Sequence, residues 1–160
     1  MAKWKFDGID DYVAQLQKLE DFSRANIGRT VYQGAKVVAD HIKEAIKGIP
    51  TDDRKYVWSG QRRGITAEQR DGLVEGFGIA PIQNKNGFIN VKLGFDGYNS
   101  VTSKDFPNGQ PNLMIARMVE SGTSFMPKIG TVSRATSEVR QQCEETMRQV
   151  LDEEISKITK

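Results

Sequence analysis

The fold class is decided by residues 76–98, which read GFGIAPIQNKNGFINVKLGFDGY. Over residues 88–95 the apolar residues Ile89, Val91, Leu93 and Phe95 alternate with Phe88, Asn90, Lys92 and Gly94, which suggests a β-strand with one buried face. Asn86 and Gly87 supply the positive φ angles that a tight turn requires, so residues 79–95 predict a β-hairpin. Because helical patterns rather than further strands flank this hairpin, the sequence favours an α+β fold with a small antiparallel sheet packed by several helices.

Two helical patterns precede the hairpin. Residues 10–22 and 26–47 carry apolar residues at intervals of three and four, which is the period of an amphipathic helix. We predict a break near 23–26, with Asn26 as the cap of the second helix. Gly48 and the following proline are expected to end that helix.

Three more helices are predicted from start and stop signals. Thr66 with Gln69 resembles a capping box, which predicts a short helical turn near residues 67–75. Asn112 is the expected cap of a helix that Gly122 closes. A long C-terminal helix should run from about 133 to 158, with an apolar stripe on one side.

Length and composition favour one soluble domain. The chain has 160 residues, of which 38% are hydrophobic, so a single domain over residues 1–160 is expected to bury a core of its own. No run approaches the about 18 apolar residues of a membrane span. The first residues lack the apolar stretch of a signal peptide, so we expect no membrane contact.

Charge and side-chain chemistry argue against catalysis. The 23 Lys and Arg residues against 21 Asp and Glu give a net charge of +2, too small to predict nucleic-acid binding. One cysteine, Cys143, and one histidine, His41, make a disulfide or a Cys/His zinc site implausible. Adjacent carboxylates such as Asp52 and Asp53 cannot face one substrate together on regular structure. No catalytic, cofactor or metal site is therefore predicted.

Residues 50–64 and 96–110 lack a regular period and are predicted to be long mobile loops. The first of them holds most of a basic cluster interleaved with aromatic residues. Three interpretations are open: a solvated loop, a contact with a neighbouring subunit or partner ring, and a contact with passing DNA. An exposed tryptophan is costly unless a partner buries it. The cluster consists of Arg54, Lys55, Tyr56, Trp58, Arg62, Arg63 and Arg70.

The order of these patterns resembles a known family. Residues 72–99 and 109–125, followed by a long amphipathic helix, are similar to small tail-completion or neck proteins of long-tailed bacteriophages and prophages. Residues 8–20 and 34–46 fit the same family, so the resemblance covers nearly the whole chain outside 50–66. Its most specific part is the stretch IARMVESGTS, which matches the family pattern Ala-x-x-Val-Glu-x-Gly-Thr-Ser.

The resemblance implies a structural virion protein without catalytic activity. Such proteins join the filled head to the tail, so the expected partners are further copies of the chain in a cyclic ring, the head connector and tail proteins. DNA passing through the ring is a possible non-specific contact. The protein would be made in the host cytoplasm and reside in the virion, at the head–tail junction. The alternative function is a small DNA-binding protein or nuclease that acts through the basic residues 54–70.

The motif itself has a structural interpretation. We expect Glu120 to fold back onto its own helix and Gly122 to take the left-handed position after the helix end. Thr123 and Ser124 would then bind freed backbone groups. Arg117 would pair with Glu120 or Asp96, or contact a neighbour in the ring. The residues proposed for partner or ring contacts are Arg54, Tyr56, Trp58, Arg62, Arg63, Arg117 and Glu120.

Overall fold

The fold is an α+β arrangement with a long C-terminal helix, as the sequence predicts. A computed structural model describes the backbone of residues 9–54 and 62–158, and the side chains of residues 23–54 and 62–157. In this part of the chain four helices surround two short antiparallel strand pairs. The elements are α1 (Ile9–Lys47), α2 (Ala67–Gly76), β1 (Phe77–Ile79), β2 (Gln83–Lys85), β3 (Phe88–Asn90), β4 (Leu93–Phe95), α3 (Asn112–Ser121) and α4 (Thr131–Ile158).

The predicted break near 23–26 is wrong, because α1 continues through it. Asn26 is no cap: it is buried inside the helix, and its carbonyl oxygen accepts a bond of 2.9 Å from Thr30 Oγ1. Ile27, which the apolar pattern placed on the buried face, is 45% exposed. The side chains that α1 buries here are therefore small and polar. Packing against another helix outweighs the local preference of asparagine for the cap position.

Helices α1 and α4 form an antiparallel pair. Arg29 Nη1 lies 2.9 Å from a carboxylate oxygen of Glu154 near one end, and His41 Nε2 lies 3.3 Å from Glu138 Oε2 further along. Between them Gly34 lets the helices approach closely, since a Cβ atom there would fall 2.5 Å from the side chain of Met147. The long pairing stabilises α1 over a length that its own sequence would interrupt.

The predicted hairpin is present but is interrupted by a bulge. The register pairs Ile79 with Leu93 in the inner strands and Gln83 with Asn90 in the outer strands. Three residues of the first arm therefore lie opposite two of the second. Pro81 sits among those three, where its missing N–H cannot complete a ladder.

The turn at the hairpin tip confirms the expected backbone geometry. Asn86 has φ 53° and Gly87 has φ 86°, and Lys85 pairs with Phe88 across them. Phe88 is 79% exposed, whereas the alternating residues expected on the inner face are half-buried. Those inner residues are Ile89, Val91, Leu93 and Phe95.

The predicted cap residue is correct for α2 and wrong for α3. Thr66 Oγ1 accepts a bond of 3.2 Å from Gln69 N, and the Gln69 side chain accepts one of 2.9 Å from Thr66 N, which completes the predicted capping box. Asn112 does not cap α3, whose cap residue is Pro111. Instead Asn112 Nδ2 donates to the carbonyl oxygen of Asp96 at 2.8 Å and ties the 96–110 loop to the helix.

The apolar core lies where the end of α1 meets α2, β1, α3 and the start of α4. Its side chains come from all of these elements, so the core joins them into one body. The largest fully buried side chains are Ile46, Ile65, Leu73, Ile115, Val119, Met126 and Val139.

Candidate partner-binding surface

The motif glycine ends α3 in a conformation that only glycine adopts readily. Gly122 N donates to the carbonyl oxygen of Met118 at 2.8 Å, and Gly122 has φ 76° and ψ 176°. The expected left-handed helical position is therefore wrong, because its ψ lies near 180°. A Cβ atom on Gly122 would fall 2.7 Å from the backbone nitrogen of Lys128. Glycine is thus required both for the backbone angle and for the close return of the chain.

Glu120 caps the next helix rather than its own. Its carboxylate accepts bonds from Val132 N and from Ser133 Oγ, the latter at 2.9 Å. The N-terminal amides of a helix lack partners within the helix and carry a partial positive charge, so a carboxylate there satisfies both. The expectation that Glu120 folds back on α3 is wrong. Arg117 is exposed and makes no ion pair with Glu120 or Asp96 within the described residues.

Residues 121–130 form a tight connection, which we call the α3–α4 corner. The chain returns so that Val119 O accepts bonds from Ile129 N at 3.0 Å and Gly130 N at 3.1 Å. Thr123 Oγ1 accepts a bond of 3.1 Å from Met126 N, while Ser124 is exposed. Backbone bonds thus hold the corner, and its outermost residues face solvent.

Asp52 organises the start of the basic loop. This carboxylate is almost fully buried and accepts a bond of 2.7 Å from Arg54 Nε and one of 3.0 Å from Arg63 N. The Arg54 guanidinium, followed by the Arg63 amide, holds the pKa of Asp52 well below its usual range. Arg54 therefore binds within its own loop, and its predicted contact with a partner stays a prediction.

Arg62 joins the basic loop to the α3–α4 corner. Its backbone N donates to the carbonyl oxygen of Phe125 at 2.7 Å, and its Nη2 donates to the carbonyl oxygen of Arg54 at 3.2 Å. The two points where segment 55–61 leaves and rejoins the described chain are therefore close together. Tyr56 and Trp58 lie in that segment, outside the described residues, and their role stays a prediction.

The structure thus brings together two groups of candidate residues that are far apart in sequence. The half-buried Arg62 at the loop base, with the exposed Ser124 and Phe125 of the corner, forms one region that we call the corner surface. Phe125 is half exposed and is not among the contact residues predicted from the sequence, because nothing local distinguishes it from a core phenylalanine. Arg117 lies on the outer face of α3, four residues after the exposed Leu113.

The remaining nucleophilic and basic candidates occupy the α1–α4 pair. His41 is partly exposed beside Glu138, and Cys143 Sγ lies 3.4 Å from the carbonyl oxygen of Gly34. Burial raises the pKa of the Cys143 thiol above its usual value, which keeps the sulfur protonated. Among the described residues, no group of three or more His, Cys, Asp or Glu side chains is arranged to hold a metal ion. None of the helices in the same part of the chain is long and apolar enough to cross a membrane.

Comparison of the chain with protein-family models, curated proteins and solved structures gives no match.

Proposed function

We propose that this protein is a structural component of the head–tail junction of a long-tailed bacteriophage or prophage, where copies assemble into a ring between the head connector and the tail. The observation that carries the proposal is the motif Val119–Ser124. Its glutamate and glycine fix the corner between α3 and α4, and this accounts for their presence without any chemistry.

The mechanism is mechanical. A ring closes when one surface of each subunit binds a different surface of the next, and a rotation of fixed size repeats around the axis. The corner surface suits such a contact because backbone hydrogen bonds hold it in place while Phe125 and Arg62 remain accessible. Tyr56 and Trp58, which precede Arg62 by a few residues in the sequence, are the proposed anchors, since aromatic residues of this kind dominate many interfaces.

The test is a double substitution, Tyr56→Ala with Trp58→Ala, in the phage or prophage that encodes the chain. We expect a folded protein with an unchanged melting temperature and an accumulation of unjoined heads and tails in electron micrographs. Each lost anchor should cost about 2 kcal/mol or more of binding free energy. Phe88→Ala is the matched control, since Phe88 is an exposed aromatic residue at the hairpin tip, on another element.

Two outcomes would contradict the proposal: normal joining by the double variant, or complete particles that lack the protein. The DNA-binding or nuclease alternative makes a different prediction, namely metal-dependent DNA cleavage that disappears when Asp52 and Asp53 become asparagine. The bonds that already occupy the Asp52 carboxylate speak against such a role for it.

A further inference from the structure

The two ends of the α1–α4 pair are packed in opposite ways. At the end near the core the buried side chains are apolar, and they include Ile42 of α1 and Val139 of α4. At the far end the described side chains that are buried are polar, namely Asn26, Thr30 and Glu154. Because burial of apolar area is the dominant favourable contribution to packing, the far end gains little stability from it.

The apolar side chains at the far end are turned toward solvent instead. Ile27 of α1 is 45% exposed, and Leu151 and Ile155 of α4 are 38% and 48% exposed. Leu151 and Ile155 lie one turn apart, so they share one face of α4, and that face does not pack fully against α1. Contacts other than an apolar core must therefore hold the last turns of α4.

Two ion pairs to one carboxylate supply these contacts. The Glu154 side chain is 7% exposed, and its Oε1 accepts bonds from Arg29 Nη1 at 2.9 Å and from Lys157 Nζ at 2.8 Å. These cations, Lys157 first, hold the pKa of Glu154 below its usual value, so the group is charged at neutral pH. The Arg29 and Lys157 side chains are themselves 61% and 57% exposed, so salt can screen them.

An unpaired amide lies in the same layer. Asn26 precedes Arg29 by about one helical turn, which in an antiparallel pair places it beside the last turn of α4. Its Nδ2 is buried and has no hydrogen-bond partner among the described residues. A buried donor without a partner costs free energy, which is recovered when water reaches it. The closed packing of the far end is therefore less stable than that of the core end.

We propose that residues 150–158 of α4, which we call the terminal arm, detach from α1 as a unit, and that the two ion pairs of Glu154 are what hold the arm closed. Salt that screens Arg29 and Lys157 leaves the buried carboxylate uncompensated, and opening returns it and the Asn26 amide to water. The remainder of α4 stays packed on the core. This conformational device goes beyond the proposed function and does not depend on it.

Amide hydrogen exchange of the intact protein, followed by mass spectrometry, tests whether the arm opens by itself. At low salt the arm should exchange at least about 100-fold faster than residues 131–143, and its exchange should depend only weakly on low concentrations of urea. Raising NaCl from about 0.05 M to about 1 M should speed exchange of the arm about 3-fold. Equal protection of the two segments, or exchange of the arm that salt does not change, would overturn the inference.

Glu154→Gln tests the carboxylate that holds the arm. The substitution keeps the size of the side chain and removes its charge, so exchange of the arm at low salt should become about 10-fold faster and lose its salt dependence. Glu138→Gln is the matched control, because Glu138 also faces α1 across the pair, through His41, but is exposed. Unchanged exchange in Glu154→Gln would mean that the helix end merely frays, and an equal effect of the control would contradict a specific role of Glu154.

Asn26→Leu tests the unpaired amide. Leucine has a similar size and shape, removes the donor that lacks a partner and adds apolar area opposite the arm. We expect exchange of the arm to slow by about 5-fold or more, without a fall in melting temperature. Faster or unchanged exchange of the arm would show that the polar layer does not favour opening, and would overturn the account of this end.

Discussion

Gly122→Ala should unfold the α3–α4 corner at a cost that can be worked out from its geometry. Gly122 has φ 76° and ψ 176°, a region that essentially only glycine occupies, and a residue with a Cβ atom is strained there by about 1–3 kcal/mol. The new Cβ atom would also fall 2.7 Å from Lys128 N. Moving Lys128 away pulls on the two bonds that Ile129 and Gly130 donate to Val119 O, each worth about 1 kcal/mol.

Strain in the middle of that range, with one of the two bonds lost, gives a loss of about 3 kcal/mol in the free energy of unfolding. For a chain of this size, that corresponds to a fall of roughly 6–12 °C in melting temperature. The measurement is urea unfolding followed by circular dichroism, with the slope of the transition checked for constancy.

Gly78→Ala is the matched control for this prediction. A Cβ atom at Gly78 would meet no atom within 4 Å, and the residue lies in a strand without a positive φ. The same chemical change there should alter stability by less than about 1 kcal/mol in either direction. If Gly122→Ala proves as stable as Gly78→Ala, the chain does not return past the end of α3 as described, and the structural account of the motif fails.

Two further predictions concern stability. Asp52→Asn should destabilise the protein at pH 7. Because the pKa of Asp52 is lowered in the folded state, the stabilisation by its carboxylate is complete above the ordinary pKa near 4 and declines as the pH falls toward the folded pKa. The free energies of urea unfolding of the two proteins should therefore differ less at pH 2.5 than at pH 7. A difference that grows at low pH would show that the Arg54 contact does not stabilise the fold. Ile115→Ala should cost about 2–5 kcal/mol because Ile115 is 0% exposed, whereas Leu113→Ala, at a position 60% exposed, should change thermal stability by less than about 0.5 kcal/mol. Equal effects of the two substitutions would contradict the orientation of α3, in which Ile115 faces the core and Leu113 faces solvent.

The features that the sequence predicted correctly depend on neighbouring residues. The capping box of Thr66 and Gln69 closes within four residues, and the Asn86–Gly87 turn needs only the backbone angles of its own two residues. The same holds for the α+β class, which follows from one hairpin among helical periods. In each case the deciding interactions are contained in a short window, so that the local pattern and the final structure agree.

The features that were missed depend on residues far apart in the chain. Asn26 reads as a helix cap, yet α1 passes through it because α4, more than a hundred residues later, covers that face. The contact of Glu120 also depends on residues outside its own helix. Sequence spacing suggested a pair between Glu120 and Arg117, but the carboxylate instead caps α4, twelve and thirteen residues further on.

The sequence by itself determined the local elements, the stop at Gly122 and the family resemblance on which the proposed function rests. The tertiary structure alone decided which groups meet: Asp52 with Arg54 and the Arg63 amide, and the backbone of Arg62 with that of Phe125. The physical reason is the range of the interactions. Backbone preferences act between residues within a turn of helix or a hairpin. Burial, charge pairing and the cost of an unpaired amide depend instead on which residues, distant in sequence, the packing places next to each other.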